Sequence, residues 1–306
     1  MKKCAVFSCL GMGDGLIALV LSHNLRRSGM QVTTFHPFLS GMQDWFPNLP
    51  IRPFPRVEEL SAFDSFFIFY EKSEWMQAIL AHCEKHFPEQ TKVLNPIATT
   101  RGNYPYWEVG KFDGRRPLAE NLRIFCQKGL DLPCCTKENG IVIPKDLKKH
   151  PTRVVIHPTS SRRGKDWPEE KFLALAQKLT AQGFEPVFIL SGEERKSWDL
   201  ARIQAPFFEN LDALVHYVAE SGWMIGNDSG IGHLASCLGL ATLTICRSYP
   251  IAQFWRPAWA EGRIVAPYMW IPNLKGLRLR DKHWKKWVSV SRVLRAFLEL
   301  NNRPLS

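Results

Sequence analysis

Three loops concentrate the residue types that suit phosphate and proton chemistry. Gly226-Asn227-Asp228-Ser229-Gly230-Ile231-Gly232-His233 follows an apolar run and precedes another. Small residues there permit close backbone approach, the unpaired N–H groups of a helix's first turn face outward, and the helix dipole favours an anion. His233, one turn in, is spaced to donate to the same anion; a capped helix carrying an incidental histidine is the plain alternative. The segment His157-Pro158-Thr159-Ser160-Ser161-Arg162-Arg163-Gly164-Lys165-Asp166-Trp167-Pro168 offers hydroxyls and a lysine between an apolar strand and a helix start. Such a loop can hydrogen-bond and neutralise a diphosphate, or it is a surface connection with its helix beginning at Pro168. The third loop, Gly11-Met12-Gly13-Asp14-Gly15, imitates a dinucleotide fingerprint. Its spacing fails: position 16 is Leu instead of the third glycine, and His36-Pro37 stands where an acidic ribose ligand belongs, so hydride transfer lacks support. What remains is Asp14 on a strand-to-helix turn, as a cleft residue or as a helix N-cap.

These loops need strands that end where they begin. Residues 4–9 read as a buried strand, 11–15 as a tight loop, 16–28 as a helix stopped by Gly29, and 31–35 as a second strand, a β-loop-α-β unit with parallel strands. A strand at 65–70 and a helix at 74–86 follow. Between 102 and 140 the pattern loosens around one helical piece at 118–129, and 137–151 reads as an interdomain connection. Alternation then restarts, with strands at 153–157, 186–190, 223–226 and 241–246 and helices at 168–183, from 195 and at 229–238. A final helix over 288–300 needs a partner for its apolar side. The pattern predicts an α/β protein of two doubly wound Rossmann-like domains, 1–150 and 151–306, with the final helix packing back on the first.

Composition narrows the partners. A formal charge of +11 favours anions without naming one, and a basic stretch holding Lys275, Arg278, Arg280, Lys282, Lys285 and Lys286 is interleaved with Trp270, Trp284 and Trp287. That pattern suits a peripheral anionic membrane surface or a solvated face; no nucleic-acid motif accompanies it. Eight cysteines lie mostly in apolar runs, none in a C-x-x-C pair, which reads as a reduced cytoplasmic protein. The opening Met1-Lys2-Lys3 resembles a secretory signal, but Asp14 and its neighbouring glycines break the apolar core such a signal needs. No run of 18 apolar residues occurs.

Taken together, Gly13-Asp14, the 157–168 loop, Ser191-Gly192-Glu193-Glu194 and Asn227-Asp228-Ser229-Gly230-x-x-His233 resemble the ADP-heptose:lipopolysaccharide heptosyltransferase family, glycosyltransferase family nine, with a weaker echo in Trp255-Arg256-Pro257. The resemblance implies a GT-B fold, two Rossmann-like domains facing a cleft, with acceptor on the N-terminal and nucleotide sugar on the C-terminal domain. It implies inverting, metal-independent transfer of a heptose from ADP-heptose to a lipopolysaccharide-core or related lipid-linked saccharide, by a monomer without cofactor at the inner face of the cytoplasmic membrane. By the same resemblance Asp14 is the general base, and Thr159, Ser160 or Ser161 and Lys165 hold the diphosphate. Glu193 or Glu194 meets the ribose, and Asp228, Ser229, Gly230 and His233 complete the donor site. The absence of any Asp-x-Asp agrees with metal-independence. The sequence departs from the family in a longer 157–167 loop, in Cys246-Arg247-Ser248 after its strand, and throughout 36–135, so a noncatalytic nucleotide-sugar or phosphate-binding protein of the same fold is the alternative.

Overall fold

Strands that are apolar on both faces belong in parallel sheets covered by helices, and the buried cores of Cys4–Phe7, Ser65–Phe69, Val154–His157 and Ala241–Ile245 follow that rule. The computed structural model describes residues 1–96, 112–160, 163–273 and 277–301. Ser161, Arg162 and Lys275, singled out above, lie outside them.

The chain divides into two compact units, Met1–Ile143 and Pro144–Ser306, a boundary seven residues before the one read from the sequence pattern. The first unit runs β1 (Lys3–Phe7), α1 (Met12–Arg27), β2 (Gln31–Phe35), β3 (Ile51–Arg52), β4 (Ser65–Phe69), α2 (Glu74–His86), β5 (Thr91–Leu94) and α3 (Leu118–Ile124). Its sheet has the order β3-β2-β1-β4-β5, with every pairing parallel. The second unit runs β6 (His150–His157), α4 (Glu169–Thr180), β7 (Glu185–Phe188), α5 (Gly192–Arg195), α6 (Leu211–Glu220), β8 (Ser221–Asn227), α7 (Gly230–Cys237), β9 (Ala241–Ile245), α8 (Tyr249–Trp255), β10 (Gly262–Val265), α9 (Leu279–Lys282), α10 (Trp284–Trp287) and α11 (Val290–Asn301). Its parallel sheet is ordered β10-β9-β8-β6-β7.

In each sheet the chain first winds outward one way and then crosses to the other side of its starting strand. The reversal opens a crevice at the carboxyl ends of β1 and β4 in one unit and of β6 and β8 in the other, the place where doubly wound sheets bind ligands.

Two expectations are corrected. The first helix begins at Met12, not after Gly15, and Gly11 is its N-cap, so Asp14 sits inside the first turn rather than on a loop. Glycines are poor helix formers, yet Gly15 is required here: a Cβ on it would stand 2.5 Å from the His36 ring. The final helix, expected to pack back on the first unit, spends its apolar side in the second. Val293, Phe297 and Leu300 are buried there, with Phe297 edge-on to Phe184 and Trp223 at 4.9 and 5.5 Å. The segment before it is held as well. The Trp167 indole N–H donates to the Val288 carbonyl at 2.9 Å, and Lys171 Nζ donates to the Lys285 and Val288 carbonyls.

Candidate functional site

The crevice of the second unit is shaped by one buried amide. Asn227, the last residue of β8, accepts a hydrogen bond on Oδ1 from the Trp167 N–H at 3.1 Å and donates from Nδ2 to the Pro158 carbonyl. Both ends of the 158–167 loop are therefore pinned to the strand that opens α7. The approach of β8 to β6 is close enough that a Cβ on Gly226 would lie 2.4 Å from the His157 carbonyl. His157 donates from Nδ1 to the Ile189 carbonyl at 2.9 Å, and burial holds its pKa below the ordinary value, so the ring is neutral.

The two hydroxyls expected to grip a diphosphate are already directed at carboxylates. Thr159 Oγ1 donates to Glu194 Oε1, and Ser160 Oγ donates to Asp166 Oδ1 at 2.6 Å. Glu194 is half-consumed a second time. Ser191 caps α5, and the Glu194 carboxylate accepts the Ser191 N–H at 2.6 Å in a capping box. Burial raises the Glu194 pKa, but the hydrogen bonds from the Thr159 hydroxyl and the Ser191 amide outweigh it, and the net shift is downward. Asp166 moves the other way, because burial outweighs its bond from Ser160. Glu193 stands apart, exposed and paired with Lys196 at 2.6 Å.

Helix α7 opens this crevice with unmet polar groups. Its N-cap Ser229 makes no side-chain capping bond, and its buried hydroxyl has no hydrogen-bond partner among the described residues. His233, one turn in, is buried; its Nδ1 has no partner either, while the ring's other bond goes to the Trp255 backbone. Burial lowers the His233 pKa to about 4, so the ring is uncharged at neutral pH and meets an anion as a dipole only. Lys165 and Asp228 line a cavity of about 40 Å³ with Arg247 and Ser248. Burial raises the Asp228 pKa, and Lys165 pulls it part of the way back. Arg247 enters the sequence reading only as a departure from the family pattern; the signal for a site role is its position just past β9, on the same sheet edge as Asp228.

The first unit's crevice holds Asp14, near enough to Gly11 that a Cβ there would meet Asp14 Oδ2 at 2.5 Å. His36, read from the sequence only as a missing ribose ligand, is the organiser. Fully buried, it donates from Nε2 to the Gly11 carbonyl at 3.1 Å, and its Nδ1 accepts the Phe38 and Leu39 amides at 3.1 and 3.2 Å. Burial lowers its pKa to about 4. Glu71 follows β4 and accepts the Leu10 N–H at 3.1 Å, which places a second carboxylate at this sheet edge.

The structure thus gathers Thr159, Ser160, Lys165, Glu194, Asp228, Ser229, Gly230 and His233 at the β6/β8 edge and puts Asp14 at the β1/β4 edge. Ser161 lies outside the described residues. Among the described residues, no group of three or more His, Cys, Asp or Glu is arranged to hold a metal ion, and no helix is long and apolar enough to cross a membrane. All eight cysteines are free. The basic segment divides: Trp284 is buried in the core, whereas Trp270 is 75% exposed.

Residues 131–266 match the family model Glycosyltransferase family 9 (heptosyltransferase), a span that contains Lys165, the 191–194 turn and the α7 motif but not Asp14. A search of curated proteins finds no match. Among solved structures, the chain is similar to the E. coli ADP-heptose lps heptosyltransferase II (14% identity, 98% of each chain covered, TM-score 0.68). It is also similar to a family 9 glycosyl transferase of Veillonella parvula (15% identity, 98% of this chain and 97% of that one, TM-score 0.70). A third, TibC from enterotoxigenic E. coli, is described as a bacterial iron-containing dodecameric glycosyltransferase (12% identity, 98% of this chain and 76% of that one, TM-score 0.61). The two parallel-sheet units are the fold of these glycosyltransferases.

Proposed function

Starting from a chain that carries a glycosyltransferase family 9 domain, we propose that it transfers a heptose from ADP-heptose to a lipid-linked saccharide of the lipopolysaccharide-core type, with inversion and without a metal. The observation that carries the reading is the β6/β8 edge itself. Lys165, Arg247 and Asp228 line one cavity, and Asp228 leads directly into Ser229, whose hydroxyl is unpaired among the described residues, and the first turn of α7, an arrangement suited to neutralising a diphosphate.

In this reading the donor's charge falls on Lys165 and the α7 amides, and Asp228 positions Lys165. Leaving-group stabilisation of this fixed kind is worth several kcal/mol. Thr159 and Ser160 contact the diphosphate by exchanging a carboxylate acceptor for a phosphate one, and His233 offers a neutral ring. Glu193 serves the ribose, because both oxygens of Glu194 are occupied in shaping the loop. Asp14 removes the acceptor hydroxyl's proton, as the resemblance implies; its place at the carboxyl edge of a doubly wound sheet supports that role. The first unit then binds the acceptor and the second the donor. The chain works as a monomer on the cytoplasmic side of a membrane surface.

The test is incubation with ADP-heptose and lipid-linked core saccharides. ADP release with an inverted anomeric linkage, read by NMR, is the expected result. A chain that binds ADP yet neither transfers nor hydrolyses the sugar is a noncatalytic nucleotide-sugar-binding protein of the same fold.

A further inference from the structure

Helix α8 separates two basic cavities. Ile251 and Ala252 line the one holding Lys165, whereas Tyr249, Gln253 and Arg256, spaced i, i+4, i+7, line another of about 560 Å³ between α8, β10 and α11. Four guanidinium groups meet in the second cavity, those of Arg256, Arg263, Arg292 and Arg295, against the single carboxylate of Glu299. That carboxylate is already taken by Arg263 at 2.5 Å. Arg295 has no carboxylate partner among the described residues and is exposed. Arg292 lies over the Tyr268 ring at 3.8 Å, and its Nη1 is buried without a hydrogen-bond acceptor among the described residues. Burial also holds the Arg256 pKa below its ordinary value, as expected of a cation taken from water without a carboxylate in return.

The rim has a distinct chemistry. Tyr268 stacks on Trp270 at 5.9 Å, and Met269 and Trp270 are 56% and 75% exposed. Apolar and aromatic side chains beside guanidinium groups match the boundary of a lipid headgroup layer.

We propose that this cavity is a second anion site, taking a phosphoryl group through Arg256, Arg292 and Arg295, separate from the donor cavity. Planar guanidinium forks match tetrahedral phosphate oxygens in pairs, and a phosphoryl group supplies the acceptor that Arg292 Nη1 lacks. The site stands independently of the donor reading, since no residue is shared by the two cavities.

Two arms separate a lipid headgroup from a free phosphate. In one, binding to phosphatidylcholine vesicles with and without phosphatidic acid is measured by co-sedimentation. In the other, inorganic pyrophosphate is titrated calorimetrically into Lys165→Ala protein, so that the donor cavity contributes less and any dependence on Arg292 and Arg295 reports the second cavity. Binding in either arm that weakens about tenfold or more in Arg292→Gln and in Arg295→Glu supports the site. Arg295→Glu, at an exposed position, guards against loss by misfolding. Trp270→Ala is expected to weaken the vesicle arm alone. Absence of binding in both arms, or binding that both arginine variants retain at wild-type strength, overturns the proposal.

Discussion

The two switch points of this molecule are built alike and finished differently. At the β1/β4 edge every polar atom of the organising histidine is used: His36 gives one bond and accepts two, and in the same unit the buried Ser22 and Thr34 hydroxyls share a bond of 2.7 Å. At the β6/β8 edge Asn227 is satisfied on both sides, but Ser229 Oγ and His233 Nδ1 are buried with no partner among the described residues. Buried polar atoms without partners cost stability, and proteins retain them mainly where a ligand or a reaction uses them. The first edge is a finished support that holds a carboxylate in place. On the proposed reading, the second is a receptor whose hydrogen bonds a ligand completes.

Asp14→Asn gives the largest separation of the two edges. Turnover is expected to fall about 10²–10⁴-fold while ADP affinity stays at the wild-type value, because in the proposed mechanism Asp14 acts on the acceptor proton alone. Equal losses in turnover and ADP binding would move Asp14 from chemistry to donor structure.

Both histidines sharpen the contrast through pH. Each has a folded pKa of about 4 against a model value of 6.5, so between those values the unfolded chain takes up protons that the folded chain refuses. Their contribution to stability is therefore flat above pH 6.5 and falls as pH drops toward 4, by about 3 kcal/mol per histidine. Denaturant midpoints across that window measure the fall. His233→Gln should make the slope shallower by that residue's share, and an unchanged slope would mean that His233 is not buried neutral.

Asn227→Ala comes next. It strips the Trp167 N–H and the Pro158 carbonyl of their partner, at about 1–3 kcal/mol for each buried group. A thermal-denaturation loss is expected together with weaker ADP binding, since the freed loop carries Lys165.

The smallest effect has the most telling sign. Ser22→Ala should destabilise the chain, whereas Ser229→Ala should leave stability unchanged or raise it by up to about 1 kcal/mol while weakening ADP binding. A Ser229→Ala protein that melts as early as Ser22→Ala would show that the hydroxyl has an internal partner after all.

How much of this the sequence discloses depends on the range of the interaction involved. The parallel strands and the α7 motif are legible because apolar runs and small residues are local signals. The start of α1 is not. Three glycines argue against a helix, and the reason Gly15 is accepted is the His36 ring, twenty-one positions away. The α5 turn was available, since Ser191 and Glu194 stand at capping-box spacing; it reads as a loop only because the helix is a single turn. Edge strands β3 and β10 are too short for a clear alternation, and α6 is announced by nothing stronger than Asn210 at its N-cap. In the site, residue types were visible and hydrogen-bond directions were not. Thr159 and Ser160 read as phosphate donors, and only the structure shows that their hydroxyls donate to Glu194 and Asp166. Arg247 and Glu71 become visible only when neighbouring strands place them beside Asp228 and Asp14.

Calorimetric titration of ADP into wild-type and Lys165→Ala protein tests the central claim most directly. The claim predicts saturable ADP binding that weakens about tenfold or more without Lys165, as the loss of a charge-assisted contact requires. ADP binding of equal strength in the two proteins, or none in either, would contradict it.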